Sequence, residues 1–237
     1  MARWRQNQLI DPIARIADQQ TGGKGRQGRK WLSESGKSLT FSVAYPFDKT
    51  IGELSGLSLA CGLAVFKGIA KALNISLSDL KQRGLALKWP NDIFLNGNKL
   101  AGILVEGGQI NPQNPTWIVI GVGINLAPIT ATPSDIGQPV ASLDQLGPIT
   151  DHDILWLAII DEIGNALEEF SKVGFSSFVT EWNDWHAFNQ RSCNIIENGK
   201  IISEGICEGA NSSGQLLLRN SKGIESIVSG DLSLRGT

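Results

Sequence analysis

Cysteine and histidine are scarce in this chain of 237 residues, and their scarcity excludes several kinds of site. The 3 cysteines, Cys61, Cys193 and Cys207, are odd in number and form no CxxC pair, so neither a disulfide framework nor a cysteine metal centre is indicated. A reducing cytoplasm suits them best. The 2 histidines, His152 and His186, have no partner at metal-ligand spacing. We therefore predict no protein-bound metal and no histidine-based catalytic triad.

Long apolar runs and the common phosphate-binding motifs are also missing. The apolar run Leu59–Phe66 is interrupted by Gly62 and stopped by Lys67, well short of the roughly 20 residues that a membrane span needs. No Gly-x-x-x-x-Gly-Lys-Ser/Thr loop occurs, and Gly121-Val122-Gly123 continues to Leu126 where a dinucleotide fingerprint requires glycine. The sequence therefore predicts no membrane association, and a nucleotide site must be of another kind.

Acidic and basic residues nearly balance, with 23 Asp and Glu against 21 Lys and Arg and a formal net charge of -2. That balance argues against a protein built to coat nucleic acid or an anionic membrane. The charge is uneven, however, since 7 basic residues and only 2 acidic ones fall within the first 31 positions. The near-neutral net charge therefore conceals a basic N-terminal segment.

Hydrophobic periodicity and turn signals predict an α+β protein. Predicted strands are Ile13–Ala17, Leu39–Tyr45, Leu85–Trp89, Asp92–Leu95, Leu100–Glu106 and a central strand buried on both faces, Trp117–Ile124. Predicted helices are Ile51–Leu73, a helix capped by Thr150 and Asp153 that runs to about Lys172, and Phe175–Phe188. Between the central strand and the second helix, Ala127–Pro148 is predicted to be a long loop.

The composition changes after Phe188. Short alternating runs separated by Asn-Gly, Ser-Gly and Lys-Gly turns predict a small all-β unit. Its predicted strands contain Asn194–Ile196, Lys200–Ile202, Gln215–Leu218 and Ser226–Val228. We therefore predict two domains, residues 1–188 and residues 189–237.

A glycine-rich basic loop lies between the first two predicted strands. Its glycines allow positive φ and close backbone approach, while its cations suit a polyphosphate or another anion. These residues are Gly22, Gly23, Lys24, Gly25, Arg26, Gly28, Arg29 and Lys30. Trp31, directly after the loop, offers a flat face to a heterocycle. The alternative is a solvated basic loop beside a core tryptophan.

Two further segments place charged groups at strand ends. Lys88-Trp89-Pro90-Asn91-Asp92 lies where one predicted strand turns into the next, and its lysine ends an otherwise apolar run. Lys99 precedes a strand that contains Gly102, where something has to approach the backbone closely. The alternatives are a tight turn with an Asx cap and an ordinary strand.

Taken in order, these segments resemble the biotin–protein ligase family. The matching text is Gln20 to Trp31, Lys88 to Asp92, Lys99 to Glu106 and Gly121 to Asn125, and the tail from Ser229 to Arg235 is similar to that family's small C-terminal β-barrel. The resemblance implies a class II synthetase-like catalytic domain, with a mixed, mainly antiparallel sheet packed with helices, followed by an SH3-like β-barrel. It also implies an ATP-dependent ligase that forms biotinyl-5'-AMP, with Mg2+ accompanying the ATP.

The implied acceptor is a lysine of a biotin carboxyl carrier protein, in the cytoplasm, and the resemblance allows a homodimer. Lys99, Arg26, Arg29 and Asp92 are the implied catalytic residues: the first three neutralise the carboxylate and phosphates, and Asp92 lies where the carrier lysine arrives. The implied contacts to biotin and biotinyl-AMP are Gln20, Lys24, Gly25, Arg26, Trp31, Lys99 and Gly102, with Gly102 leaving room for the bicyclic ring. The implied nucleotide side contains Lys88, Asn91 and Asn125.

Two features depart from the family pattern. Lys24 stands where the family usually has arginine. Lysine keeps the positive charge but lacks the planar guanidinium group. The family's Ser-Thr-Asn segment for the biotin head group has no counterpart between Met1 and Gln19, so the sequence places those contacts on no residue. The same stretch is too short for a helix-turn-helix, and no specific DNA binding is expected.

Two other functions stay open. A lipoate- or octanoyl-transferring ligase would share the architecture, although the Lys88-to-Asp92 text and the basic loop favour biotin. The basic N-terminus beside Trp4 and Trp31 is instead compatible with a nucleic-acid-binding surface. The sequence leaves open the oligomeric state, the identity of the carrier and the role of Arg235.

Overall fold

The structure is a computed structural model that describes residue 6 and residues 8–108, 114–130, 138–149, 151–197 and 199–234. Its strands are β1 (Ile13–Ala17), β2 (Ser38–Phe47), β3 (Leu85–Lys88), β4 (Asp92–Leu95), β5 (Asn98–Gly108), β6 (Thr116–Asn125), β7 (Ser192–Glu197), β8 (Lys200–Ala210), β9 (Leu216–Asn220), β10 (Gly223–Ile227) and β11 (Asp231–Leu234). Its α-helices are α1 (Leu57–Leu73), α2 (Leu77–Gln82), α3 (His152–Val173) and α4 (Val179–Trp185). The prediction of an α+β fold with mainly antiparallel strands is confirmed.

Six antiparallel strands form the first sheet, in the order β1-β2-β6-β5-β4-β3. Strand β6 lies between β2 and β5, and every residue of it except Gly121 is buried. The prediction of a central strand buried on both faces is therefore confirmed. The register places Gly123 of β6 between Gly102 of β5 and Thr40 of β2, so a row of small residues crosses the middle of the sheet.

One face of this sheet packs against α1. Gly62 of α1 lies against the side chains of Leu87 and Ile103, both of which are buried. On its other side α1 packs against α3, where a Cβ on Gly68 would lie 2.6 Å from the Cα of Ile159, so only glycine allows this approach. Because successive residues of a strand point to opposite faces, the residues between these core positions face away from α1.

Among the described residues, one helical stretch, Ile51–Leu73, is long and apolar enough to cross a membrane by length and composition, and 67% of its apolar window is buried in the protein. That burial is typical of a core helix. The stretch was predicted as a single helix, but it is two elements: a 3-10 turn, Ile51–Leu54, precedes α1. Gly56, with φ of 84°, separates them because the backbone there is left-handed.

The other helices differ in part from prediction. Helix α3 begins after Asp151, whose carboxylate accepts hydrogen bonds from the N–H groups of Asp153 and Ile154; the predicted cap Thr150 lies outside the described residues. The predicted helix Phe175–Phe188 is shorter, since a 3-10 turn, Gly174–Ser177, precedes α4. The short helix α2 was not predicted.

The tail forms a second, five-stranded antiparallel sheet in the order β10-β9-β8-β7-β11, which confirms the prediction of an all-β tail. Its closure into an SH3-like barrel and the domain boundary at residue 188 stay predictions. The second sheet packs closely on the first unit: the indole N–H of Trp89 donates to the carbonyl of Gly214 at 3.1 Å. The side-chain amide of Asn183 likewise both accepts from and donates to the backbone of Ala210.

Candidate active site

A cavity of about 520 Å³ opens on the face of the first sheet that α1 leaves free. Residues of β5 and β6, with Ser42 of β2, form its floor, and the basic loop forms one wall. The cavity brings together every predicted site residue except Lys88. These residues are Gln20, Lys24, Gly25, Arg26, Arg29, Trp31, Asn91, Asp92, Lys99, Gly102 and Asn125.

The basic loop is a compact hairpin. The N–H of Trp31 donates to the carbonyl of Gly23 at 3.0 Å, and the N–H of Gly25 donates to the carbonyl of Arg29 at 2.7 Å. Between them the chain makes a 3-10 turn in which Gln27 and Gly28 have positive φ, 54° and 74°. Positive φ is readily accessible to Gly28, which has no Cβ, whereas it is uncommon for a residue with a side chain such as Gln27. The loop therefore holds its cations on a defined backbone at the cavity edge.

The two arginines of this loop are held by the second sheet. Nη2 of Arg29 lies 3.0 Å from Oδ1 of Asp231, and Nη1 of Arg26 lies 3.8 Å from the same oxygen. Arg26 also donates to the carbonyl of Gly230 at 3.4 Å and to Oδ1 of Asn91 at 3.5 Å. Burial lowers the pKa of Arg26, and Asp231 opposes that shift. Asp231 was not predicted as a site residue, although it lies within the tail text that carried the family resemblance.

Lys99 and Asp92 form an ion pair at the centre of the cavity. The Lys99 ammonium lies 2.7 Å from Oδ1 of Asp92, with 16% and 12% of the two side chains exposed. The backbone around Lys99 is fixed as well: its N–H donates to the carbonyl of Pro139, and its carbonyl accepts from the N–H of Ala141. A lysine on such a rigid segment can serve a negatively charged ligand without large rearrangement.

Asn125 holds this segment in place. Its side-chain amide donates to the carbonyls of Lys99, at 3.3 Å, and Ala141, at 3.0 Å, and only 4% of the residue is exposed. The amide nitrogen therefore ties the end of β6 to the start of β5 and to the segment after residue 137. Contact of Asn125 with the nucleotide stays a prediction.

The indole of Trp31 lies across the glycines of the sheet. A Cβ on Gly123 would lie 2.3 Å from Cε2 of Trp31, and a Cβ on Gly102 would lie 3.3 Å from its Cζ3. The Lys99 ammonium is 5.8 Å from the ring centroid. The indole Nε1 is buried and has no hydrogen-bond partner among the described residues. Trp31 and Lys99 thus limit the free space above Gly102. That this space accepts the bicyclic ring of biotin stays a prediction.

Lys88 does not line the cavity. It stands opposite Asp92 in the β3–β4 register, and its ammonium lies 4.8 Å from the ring centroid of Phe94 and 5.8 Å from that of Phe188. Burial lowers its pKa, and the charge of Asp92 opposes that shift. Lys88 is therefore the cross-strand neighbour of Asp92 but lies outside the cavity, and its place on the nucleotide side stays a prediction.

Sequence reasoning missed several residues of the cavity. Ser42 of β2 and Glu106 of β5 line it, as do two residues from the long loop, Gln138 and Val140. The strand residues could have been found by combining strand alternation with the strand order, but the order itself was not predicted. The loop residues carried no sequence signal.

The chain is similar to known ligases over nearly its whole length. Residues 1–125 match the model of the Biotin/lipoate A/B protein ligase family. The bifunctional ligase/repressor BirA of Escherichia coli is 34% identical over 98% of this chain and 69% of its own length. A biotin–[acetyl-CoA-carboxylase] ligase of Paracoccus denitrificans is 28% identical over 93% of this chain and 90% of that protein.

The fold agrees with these relatives. A biotin protein ligase of Aquifex aeolicus, solved in complex with biotin and ATP, superposes with a TM-score of 0.76 and 28% identity, covering 97% of this chain and 91% of that one. The chain therefore belongs to the biotin/lipoate A/B protein ligase family, in its biotin–protein ligase branch.

Proposed function

We propose that this chain uses ATP to activate biotin as biotinyl-5'-AMP and then transfers the biotinyl group to a lysine of a biotin carboxyl carrier protein. The observation that carries the proposal is the convergence of Lys99, Arg26 and Arg29 with Trp31 and a glycine-floored slot in one cavity. The cations can bind a carboxylate and phosphates, and the indole can stack on a heterocycle. The glycines of the floor carry no side chain and leave space for a ring.

In the first step a carboxylate oxygen of biotin attacks the α-phosphorus of ATP, and the bond to the bridging oxygen of pyrophosphate breaks. Both reactants are anions, so the main requirement is fixed positive charge. Lys99 bridges the biotin carboxylate and the α-phosphate once it has left Asp92. Arg26 and Arg29 meet the phosphates from the wall of the cavity.

Magnesium enters with ATP as part of the substrate. Among the described residues no cluster of three His, Cys, Asp or Glu side chains exists that would form a protein cage for a cation. Mg2+ commonly binds through substrate phosphates and one or two carboxylates, and Asp92 is a carboxylate that lines the cavity. The residues present therefore fit an ion that arrives on the nucleotide.

In the second step the carrier lysine amine attacks the carbonyl carbon of the mixed anhydride, and the bond to the AMP oxygen breaks. The attacking amine loses a proton, and Asp92 is placed to accept it because Lys99 is then engaged by the ligand. No protein nucleophile is required, which is consistent with the scarcity of histidine and with the burial of all 3 cysteines.

The remaining residues position the substrates. Six of them line the cavity, namely Gln20, Lys24, Gly25, Gly102, Trp31 and Asn125. In this proposal the first four contact biotin, while Trp31 and Asn125 contact the nucleotide side of the adenylate. Asn91 orients Arg26 through a 3.5 Å contact, and Lys88 supports Asp92. The acceptor is a carboxylase carrier, and we place the reaction in the cytoplasm. A homodimer and the absence of specific DNA binding remain predictions, and Arg235 lies outside the described residues.

The test is to incubate the protein with ATP, Mg2+, biotin and an apo biotin-carrier domain, and to look for the biotin mass increment on the carrier lysine. A carrier whose target lysine is replaced by arginine is the matched control. Lipoate and biotin compete in a parallel ATP–pyrophosphate exchange assay. Exchange supported by lipoate alone would make the chain a lipoate ligase, and salt-sensitive oligonucleotide binding without exchange would favour the nucleic-acid alternative.

A further inference from the structure

A buried serine lies just beyond the basic loop. Only 9% of Ser33 is exposed, and its hydroxyl contacts both backbone polar groups of Gln20. The N–H of Gln20 donates to the Ser33 Oγ at 2.9 Å, and the hydroxyl donates to the carbonyl of Gln20 at 3.2 Å. Because a hydroxyl can donate and accept at once, this one side chain pairs with Gln20 as the backbone of an opposite strand residue would.

The contact between Gln20 and Ser33 closes the base of the loop. The two backbone hydrogen bonds of the loop hairpin lie nearer its tip. The strands on either side do not extend this far, since the ladder between β1 and β2 ends at the pair Ala17 and Thr40. The Ser33 hydroxyl therefore holds the two ends of the loop together in a region where the sheet does not.

From Gln20 the packing continues to Trp31. A Cβ built on Gly23 would lie 2.9 Å from Oε1 of Gln20 and would collide with the carbonyl oxygen of Trp31, so only glycine allows this approach. The carbonyl of Gly23 in turn accepts from the N–H of Trp31 at 3.0 Å. Closely packed groups transmit displacements, so a shift in the backbone of Gln20 would move the indole.

We infer that Ser33 is a positioning residue, which holds the basic loop and Trp31 in the geometry that binds the ligand. The inference rests on the proposed function, in which this loop brings cations and an indole to the adenylate. Ser33 is not part of the cavity lining that the described residues form, so it acts through Gln20. Without the hydroxyl, both backbone groups of Gln20 lose this partner, and the base of the loop is free to move.

Ser35 provides the matched control. Its hydroxyl donates to Oδ2 of Asp18 at 2.7 Å and so joins the same two segments of the chain. Both residues are exposed, and the bond links two side chains instead of fixing a backbone group. Ser35→Ala therefore removes the same atom at the same end of the loop and should leave ligand binding unchanged.

The experiment compares wild type with Ser33→Ala, Ser33→Thr and Ser35→Ala. It measures amide hydrogen exchange without ligand, biotin binding by calorimetry, and ATP–pyrophosphate exchange with biotin and ATP varied in turn. Ser33→Ala should speed amide exchange in residues 20–31 at least about tenfold, weaken biotin binding about tenfold and raise both KM values about tenfold. Its kcat should fall less than about threefold, because Lys99 and Asp92 stand on strands outside the loop.

Ser33→Thr keeps the hydroxyl and should lie within about twofold of wild type in all three measurements. Unchanged KM values in Ser33→Ala would overturn the inference, and so would equal effects in Ser35→Ala. Faster amide exchange throughout the protein would also overturn it, because Ser33 would then contribute to general stability and not to the position of the loop.

Failure of the proposed ligase is distinguishable from failure of this inference. Absence of pyrophosphate exchange in wild type would contradict the ligase, and the calorimetry would then decide the role of Ser33. Weaker biotin binding in Ser33→Ala, with faster amide exchange confined to the loop, would support the positioning role. Biotin binding equal to that of wild type would overturn it.

Discussion

The Lys99 ammonium lies 2.7 Å from a carboxylate oxygen of Asp92, and both side chains are largely buried. Each charge is the counter-ion of the other, and an unpaired charge is costly where the side chain is largely buried. A ligand carboxylate that binds Lys99 therefore competes with Asp92 for the same ammonium. In the proposed mechanism, the pair thus links binding of the ligand carboxylate at Lys99 to the availability of Asp92 in the second step.

Replacing Lys99 with alanine should abolish adenylate formation, with biotin-dependent ATP–pyrophosphate exchange reduced at least about a hundredfold, because fixed charge at the reacting phosphoryl group is lost. The variant should also lose about 3 kcal/mol of unfolding free energy, since Asp92 is left without its partner. Exchange assays and urea denaturation measure the two effects separately.

The matched control is the double variant Lys99→Ala with Asp92→Ala. Removing both charges should restore most of the lost stability because no unpaired carboxylate remains, while exchange stays absent. Full exchange in Lys99→Ala would refute the role of Lys99. A double variant no more stable than Lys99→Ala would refute the pairing as a source of stability.

Asp231 joins the second sheet to the cations of the cavity, and Asp231→Asn should raise the KM for ATP about fivefold. Its carboxylate orients Arg29 at 3.0 Å and contributes to the position of Arg26. Biotin affinity should change less than twofold, because the two arginines that Asp231 contacts are proposed to meet the phosphates of ATP. Steady-state kinetics with each substrate varied in turn checks the difference.

Asp161→Asn is the control for this substitution. It removes a more exposed ion pair on the far helices, in which Asp161 lies 2.6 Å from the ammonium of Lys71, and it should leave both KM values unchanged. Neither variant should lose more than about 1 kcal/mol of unfolding free energy, since exposed ion pairs contribute little. A biotin KM that rises with the ATP KM would point to general damage of the loop.

The parts of the site that could be predicted from sequence are those formed by short, contiguous segments of the chain. The basic loop, the turn at Asn91 and Asp92, and the start of β5 each present their chemistry within a few residues, and the structure brings them into one cavity. Asp231 could not be predicted as a site residue, because it reaches Arg29 across 202 positions, through docking of one sheet on another.

The same reason applies to Ser42 and to Lys88. Alternation along β2 fixes which residues share a face with Ser42, but only the strand order places that face on a cavity. Lys88 stands opposite Asp92, yet Phe94 and Phe188 enclose its ammonium and keep it off the cavity wall. Strand order and side-chain packing arise from contacts between distant segments, which local patterns do not encode.

Gly123→Ala should lower adenylate formation at least about tenfold. The added methyl group would clash with the Trp31 indole and displace it from the sheet. The intrinsic tryptophan fluorescence should change in the same variant. Gly164→Ala is the control: a Cβ there meets nothing within 4 Å, so activity should be retained and α3 should gain about 0.5–1 kcal/mol. Unchanged activity in Gly123→Ala would show that the position of Trp31 is not required.

Alkaline pH should destabilise the protein through the buried thiol of Cys61. Burial raises the pKa of Cys61 to about 12 from the ordinary value of 9.0, so the thiol stays neutral in the folded chain where it would ionise in the unfolded one. The unfolded state then binds fewer protons above pH 9.0, and the unfolding free energy falls as pH rises toward 12. Urea denaturation at neutral pH and near the upper end of this range measures the slope. Cys61→Ala should reduce that slope, whatever its baseline cost, and pH profiles parallel to wild type would show that Cys61 ionisation makes no contribution.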